Sequence, residues 1–404
     1  MIPMQLNSDI LNKVTYLVGN PEIAAKLPEI SAMPPFDDMI VAFLDDLSKE
    51  LIHTKDAKAY SDVITLGFWL RKASILKLKE RFGNKEGYRL GKGVVFHIAP
   101  SNVPVNFAYS LFTGLLCGNA NVVRVPSKEF PQVRIIIEAI KKVLEQHRKL
   151  APYIICVRYE RNKDISDLFS SYADMRVVWG GDKTIEELRK SPLPPRSGEI
   201  TFADRYSIAI IDSDSYMSIE NKKKTAEDFY NDTFFSDQNA CTSPRMVIWT
   251  GSRKDEAKKV FWEEEHALVE KKYSFQPIQA VNKLTRSFLA ASAISGVKVE
   301  PHSDNLIVRV TVPKVTGELM DYRDNSGYFY EYDCEDIMEI ALLCNDKRCQ
   351  TVTYIGDRNV ILPLLQAGVK GVDRVVPIGK TMDFDLVWDG YDLVENLTRS
   401  IARI

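Results

Sequence analysis

With 404 residues, 45% of them hydrophobic and 27% charged, the chain is long enough for two or three domains with well-buried cores and has the make-up of an ordinary globular protein. Its 53 Lys and Arg are interspersed with 55 Asp and Glu, a net charge of −2 that argues against a nucleic-acid partner, because binding a polyanion needs a basic patch that releases counterions. No stretch approaches the ~20 apolar residues of a membrane span and the N-terminus has no signal-like pattern, so the expectation is a cytoplasmic protein.

The first ninety residues carry helical patterns over 39–51 and 66–82 but no chemical motif. From Gly93 onward short apolar runs alternate with helical ones, the signature of a parallel sheet covered on both faces. Strands are expected at 94–99, 121–125, 153–158, 175–179 and 207–211. Between them Val133, Ile136, Ile137, Ile140, Val143 and Leu144 recur at the spacing of an amphipathic helix over 132–148. The loop Ser191-Pro192-Leu193-Pro194-Pro195-Arg196-Ser197-Gly198 is the clearest break, since three prolines in four residues stop helix and ladder alike. Beyond it a second α/β unit is expected, with strands at 245–249, 305–310 and 351–355 and a helix over 253–271. Six cysteines without Cys-x-x-Cys pairing and five scattered histidines suggest neither a zinc site nor a disulfide framework.

Two segments carry chemistry. In the second half, Ser236-Asp237-Gln238-Asn239-Ala240-Cys241-Thr242-Ser243-Pro244 runs into the apolar Met246-Val247-Ile248-Trp249, which puts one cysteine in a polar bend at the mouth of a buried strand. A thiolate there is a nucleophile suited to an electrophilic carbonyl. The alternative is a small core residue. In the first half, Pro100-Ser101-Asn102-Val103-Pro104 stands where a strand hands over to a helix, and the flanking prolines limit the backbone so that the Asn102 amide can be aimed. It is placed to donate to an oxyanion, or simply to cap the helix.

Together these segments resemble the aldehyde dehydrogenase superfamily, with its strand, Pro-x-Asn-x-Pro turn, helix ending in Gly-Asn and later catalytic cysteine. The Cys241 segment, Trp179-Gly180-Gly181-Asp182, Gln350-Thr351-Val352, Arg374-Val375-Val376-Pro377-Ile378-Gly379 and Trp388-Asp389-Gly390 look like the acyl-CoA reductases related to the fatty-acid reductase of bacterial luminescence (LuxC-like). The resemblance runs from about Gly91 to the C-terminus, roughly three quarters of the chain. It implies an α/β fold with a doubly wound parallel-sheet cofactor domain and a second α/β catalytic domain. The expected division is 1–205 for the N-terminal segment and NAD(P) domain, 206–370 for the cysteine domain, and 371–404 for a segment returning to the cofactor domain or to an oligomer interface.

There is no Gly-x-Gly-x-x-Gly. The resemblance instead places a nicotinamide cofactor across the strand ends at 122–127 and 179–182. Trp179, Gly180, Gly181 and Asp182 end a strand and open a helix whose N–H groups a pyrophosphate could approach; an ordinary turn capped by Asp182 is the alternative. Where the superfamily has Lys-Pro-Ser, this chain reads Arg124-Val125-Pro126-Ser127-Lys128, and either cation could reach a ribose 2′-phosphate, which favours NADPH with NADH possible.

The resemblance further implies that Cys241 attacks an acyl thioester, with Asn102 and the Cys241 backbone N–H holding the oxyanion and Gln238 either orienting acyl group or nicotinamide or bonding within its loop. Hydrolytic relatives keep a glutamate in a Glu-Leu-Gly-Gly segment. The matching residues 200–207 have none unless Glu199 is displaced into that place, as befits an enzyme that keeps water from its thioester. The expected donor is acyl-CoA or a carrier-bound acyl group. An acyl-protein synthetase or acyltransferase partner and a homo-oligomer are expected from the same resemblance. Reduction of an acyl phosphate, or a noncatalytic partner subunit with this fold, are the alternatives.

Overall fold

The computed structural model describes residues 4–83, 87–101, 103–301 and 304–402. The chain divides into two compact units, Met1–Ala203 with Phe384–Ile404, and Asp204–Asp383.

The first unit contains β1 (Thr15–Val18), β2 (Tyr88–Gly91), β3 (Val94–Ile98), β4 (Ala120–Arg124), β5 (Ile154–Arg158), β6 (Met175–Trp179) and β7 (Gly198–Phe202). Six of these form one sheet in the order β1-β5-β4-β3-β6-β7, parallel throughout except for β1. All residues of β3 and β6 are buried, which explains why their sequences read as continuous apolar runs. Val95 faces one apolar layer while Val94, Phe96 and Ile98 face the other. The helix Asn106–Leu116 is buried nearly all round, and Pro131–Leu144 buries the face read from its periodicity.

The N-terminal helices belong to this core. Ile40, Phe43, Leu44, Leu47 and Leu51 of Asp38–His53 pack in one cluster with Val95, Ile136 and Ile140. The pattern over 66–82 is two helices, Ser61–Trp69 and Lys72–Gly83, because the Asp45 carboxylate takes the Lys72 N–H at 2.9 Å and starts a new helix there. The proline-rich loop also differs from expectation. It ends the helix Asp182–Arg189, but the chain then returns to the same sheet as β7, with Gly198 N–H donating to the Asp174 carbonyl at 3.1 Å.

The second unit contains β8 (Tyr206–Asp212), β9 (Pro244–Thr250), β10 (Lys298–Val299), β11 (Val308–Thr311), β12 (Tyr328–Asp333), β13 (Cys349–Ile355) and β14 (Arg374–Pro377). Its sheet runs β10-β11-β12-β9-β8-β13-β14, parallel except for β10. Ile208, Ile210, Met246 and Ile248 face one apolar layer, and Ala209, Ile211, Val247 and Trp249 face the other. The helices Lys222–Asp232, Lys254–Lys272 and Pro277–Ala293 belong to this unit.

From Phe384 the chain is again part of the first unit. β15 (Val387–Trp388) and β16 (Tyr391–Asp392) form a hairpin whose two turn residues, Asp389 and Gly390, both have positive φ, as a two-residue turn of the favoured twist requires. β17 (Thr398–Ile401) pairs antiparallel with β2. Among the described residues no helix is long and apolar enough to cross a membrane.

Candidate active site

Cys241 lies in the turn that feeds β9, at the amino end of the second sheet. It is the one cysteine of six that is not fully buried. Its carbonyl accepts from the Ser207 hydroxyl at 2.7 Å, and the Ser207 oxygen accepts from the Thr351 N–H at 3.2 Å, so the first residues of β8 and β13 hold the turn from below.

The preceding residues are fixed by strain that something else must offset. Asp237 and Gln238 have φ of +52° and +55°, left-handed backbone that is uncommon for residues with side chains. Gln238 is fully buried. Its amide oxygen accepts from Gly327 N–H (2.7 Å) and Tyr328 N–H (3.1 Å), and its amide nitrogen donates to the carbonyls of Pro244 (3.0 Å) and Tyr328 (3.3 Å). The whole amide is spent on backbone, so of the two readings of Gln238 the loop hydrogen bond is the one the geometry contains. Gly327 is required beside it, since a Cβ there would stand 2.4 Å from the Leu306 carbonyl oxygen and 2.6 Å from the Phe234 ring. On the outer side, Tyr273 donates its hydroxyl proton to Asp237 Oδ1 at 2.6 Å, and Ser326 N–H donates to the Asp237 carbonyl at 3.0 Å.

Three other residues that sequence reasoning passed over hold this loop system. Lys283 is buried, and its ammonium donates to the carbonyls of Asn305, Leu306 (3.0 Å) and Ser326 (2.7 Å), pinning the segment that carries Gly327; burial pushes its pKa down to about 7. Arg245, at the start of β9, is buried and donates to the Asp324 carbonyl at 2.8 Å and to Asn325 Oδ1, while Asn325 Nδ2 donates to Asn239 Oδ1 at 2.7 Å. Thr242 donates to the Met382 sulfur at 3.5 Å, and the loop carrying Met382 is held by Asp232, which accepts from Gly379 N–H (2.6 Å), Thr381 N–H (3.1 Å) and the Thr381 hydroxyl (2.9 Å). No motif in the sequence marks any of the three.

In the first unit the strand order reverses beside β3: the chain passes outward from β3 to β4 and β5, then resumes on the other side with β6 and β7. Carboxyl ends at such a reversal are where open parallel sheets bind ligands. The turn after β3 carries Asn102, which lies outside the described residues. The turn after β6 carries Gly180 and Gly181. Gly181 is the N-cap of Asp182–Arg189 and a Cβ on it would meet nothing within 4 Å, so the start of that helix is open to approach; Asp182 is the first helical residue and not the cap. Trp179 is buried against Phe202, ring centroids 3.6 Å apart.

Past β4, Pro126 is buried and its carbonyl accepts from Arg158 Nε at 3.1 Å, whereas Ser127 and Lys128 are exposed. The two cations expected at this strand end part company. Arg124 is committed: its guanidinium stacks over the Tyr159 ring at 4.7 Å and donates to the Tyr159 carbonyl at 3.3 Å. Lys128 only overlies Phe130, 4.9 Å from the ring centroid.

A buried polar chain steadies this end of the sheet. Asn121 donates to the carbonyls of Asn119 and Tyr153, which orients its Oδ1 toward His97 Nε2 at 3.0 Å. Nε2 therefore carries the proton, Nδ1 accepts from the Ser110 hydroxyl at 2.7 Å, and the Ser110 oxygen accepts from Trp179 Nε1–H at 3.0 Å. Burial pushes the His97 pKa down to about 4. An unfolded histidine takes its proton near pH 6.5, so this neutral imidazole stabilises the fold fully above that pH, and the contribution is lost as pH falls toward 4, by at most about 3 kcal/mol. Denaturant unfolding across that window should show a slope that His97→Gln flattens; an equal slope in the variant would place the origin elsewhere.

Glu199 is also accounted for. Its carboxylate lies in β7, bound by the buried Arg176 (Nε, 2.7 Å) and by Arg189 (2.8 Å).

Two parallel α/β units, one with a reversed strand order and one with a cysteine turn, have the fold of the aldehyde dehydrogenases. The chain superposes on a NAD-dependent benzaldehyde dehydrogenase from Corynebacterium glutamicum with a TM-score of 0.63 and 15% identity, over 93% of this chain and 87% of the other. With a glyceraldehyde-3-phosphate dehydrogenase from Methanocaldococcus jannaschii, solved with NADP, the TM-score is 0.64 at 14% identity, over 98% and 94%. Within that class, residues 71–278 match the acyl-CoA reductase (LuxC) family, and the chain belongs to it. It is similar to the long-chain acyl-protein thioester reductases of Photorhabdus luminescens, 23% identical over 320 residues, and of Vibrio harveyi, 24% identical over 297. These alignments take in 78% and 71% of this chain but 63% and 59% of those proteins, so the chain spans about three fifths of the length of the relatives it matches.

Proposed function

We propose that this protein reduces an acyl thioester to the aldehyde through a covalent acyl group on Cys241. The observation that carries the reading is the Cys241 turn itself: a cysteine that is only partly buried, on backbone held by Ser207 and Gln238, within the segment that matches the family. The Cys241 sulfur attacks the thioester carbonyl, a new C–S bond forms, and the donor thiol leaves. Asn102 and the Cys241 N–H are the proposed oxyanion donors. A nicotinamide nucleotide, when bound, supplies the hydride for the second half of the reaction. Collapse of the resulting hemithioacetal breaks the C–S bond and returns the thiol. The names of the relatives support including protein-bound acyl groups among the donors, beside acyl-CoA.

The residues of the first unit fit such a nucleotide. The open Gly181 helix start suits a pyrophosphate, with Trp179, Gly180 and Asp182 shaping the turn, and Pro126 and Ser127 border the ribose side. Lys128 is the residue we assign to a 2′-phosphate, since Arg124 is occupied by Tyr159. Lys128→Ala should raise the KM for NADPH by about tenfold, roughly 1.4 kcal/mol, and leave that for NADH alone. An unchanged ratio would remove Lys128 from the site.

The retention of the acyl-enzyme is favoured by what Glu199 does: bound by two arginines, it is not a free base to activate water. Aldehyde formation from acyl-CoAs and an acylated carrier protein, each with NADPH and with NADH, tests the whole reading. Release of free acid without aldehyde from every donor would refute it.

A further inference from the structure

We propose that two copies of this chain pair through the outward face of the helix Pro277–Ala293, and that the pairing braces the turn carrying Cys241 from behind.

This helix is amphipathic the wrong way round. Its fully buried residues are Lys283, Ser287 and Ala290, whereas Ile278 (58%), Val281 (57%), Leu284 (55%), Phe288 (67%) and Leu289 (43%) are exposed. Spacings of three and four residues place the exposed side chains on one stripe. Among the described residues no other helix exposes more than two large apolar side chains. With Ala290 the only apolar residue fully buried, the inner face supplies little hydrophobic burial to hold the helix down. What the inner face does hold is the cysteine loop. Gln279 Nε2 donates to the Tyr273 hydroxyl oxygen at 3.0 Å, Tyr273 donates to Asp237 Oδ1 at 2.6 Å, and Lys283 donates to the Ser326 carbonyl at 2.7 Å, while Ser326 N–H donates to the Asp237 carbonyl at 3.0 Å. Asp237 stands four residues before Cys241, so a helix that shifts or frays takes these ties with it.

Area and charge both select a second copy as the occupant. Five side chains, each about half exposed, make a patch on the order of 500 Å², the upper end of what a monomer shows to water, and two such patches face to face bury on the order of 1,000 Å², the size at which a specific interface becomes stable. The helix has no acidic residue, Lys283 is buried and Arg286 is half-buried, so no charge stands among its exposed residues. An acidic carrier or an anionic membrane surface is recognised by cations and finds none there. A second copy brings the same stripe with no like charge to oppose it. An antiparallel two-fold pairing sets the Ile278 end of each helix against the Phe288 end of the other, with Leu284 near the axis.

The test is sedimentation equilibrium of the full chain across the micromolar range. The wild type should be dimeric, and the double variant Leu284→Glu with Phe288→Glu should be monomeric with unchanged circular dichroism, because both side chains are exposed. An equimolar mixture of Leu284→Glu and Leu284→Lys should associate more tightly than either variant alone, as a two-fold axis near that position requires. In hydrogen exchange, peptides covering 237–243 and 277–293 should exchange about tenfold faster in the monomeric variant. A monomeric wild type, a double variant that stays dimeric, or a mixture no tighter than its parts overturns the pairing. A monomer whose 237–243 segment exchanges at the wild-type rate overturns the bracing. Should the double variant fail to fold, a cysteine at the exposed position 285 decides: Thr285→Cys in a Cys241→Ser background must be linked into dimers by a short bismaleimide, and a chain that stays unlinked is equally fatal. None of these readouts needs an acyl donor, so they stand or fall apart from the proposed activity.

Discussion

Cys241→Ala is expected to carry no acyl mass after incubation with a panel of short to long acyl-CoAs, where the wild type gains one, and to lose at least about three orders of magnitude in turnover. The fold should not notice. The side chain is partly exposed, Ser207 bonds the Cys241 carbonyl and not its sulfur, and Gln238 bonds other backbone groups, so alanine leaves each of these ties in place. The thermal midpoint should therefore stay within experimental scatter of the wild type, and binding of nucleotide to the first unit should be unchanged. The experiment separates the covalent reading from its alternatives. Adducts on the alanine variant would mean that another group takes the acyl chain, and appreciable reduction without any adduct would mean direct hydride transfer to a bound thioester.

The sequence was legible wherever one physical cause dominated. β6 could be read to the residue because Met175-Arg176-Val177-Val178-Trp179 is buried on both faces and bounded by turn residues. β12 was not, because Tyr328-Phe329-Tyr330-Glu331-Tyr332 puts an acid in its middle; the structure buries Glu331 under the indole N–H groups of Trp249 (2.9 Å) and Trp262 (2.7 Å), partners far away in the chain. The cysteine turn could be placed on a strand mouth from local composition alone. What holds it could not. Gln238 reaches across ninety residues to Gly327 and Tyr328, and Arg245 to Asp324, pairings that no local pattern encodes. The same limit applied to Arg124 and Lys128, equal as sequence, which differ because Tyr159 captures one of them.

Gln238→Leu should be the most damaging change that leaves the chemistry's atoms untouched. Leucine has nearly the same volume but can neither accept from Gly327 and Tyr328 nor donate to Pro244 and Tyr328, so two buried N–H groups and two carbonyls lose a partner at once. The expected cost is about 2–4 kcal/mol in the unfolding of the second unit, less than four full desolvation penalties because some groups will find water. The glutamine also offsets the strain of two consecutive positive φ angles, and without it the 237–243 segment is free to relax. A displacement of about 1 Å at the reacting sulfur is enough for a loss near 100-fold. Acylation of Cys241 should therefore slow by about that factor at temperatures where the variant is still folded. Denaturant midpoints and the rate of acyl adduct formation measure the two losses separately. Were stability to fall while acylation kept its wild-type rate, Gln238 would be a stabilising residue only, and the geometry of the nucleophile would have to be set by the remaining ties, Ser207 on the Cys241 carbonyl and Tyr273 on Asp237 among them.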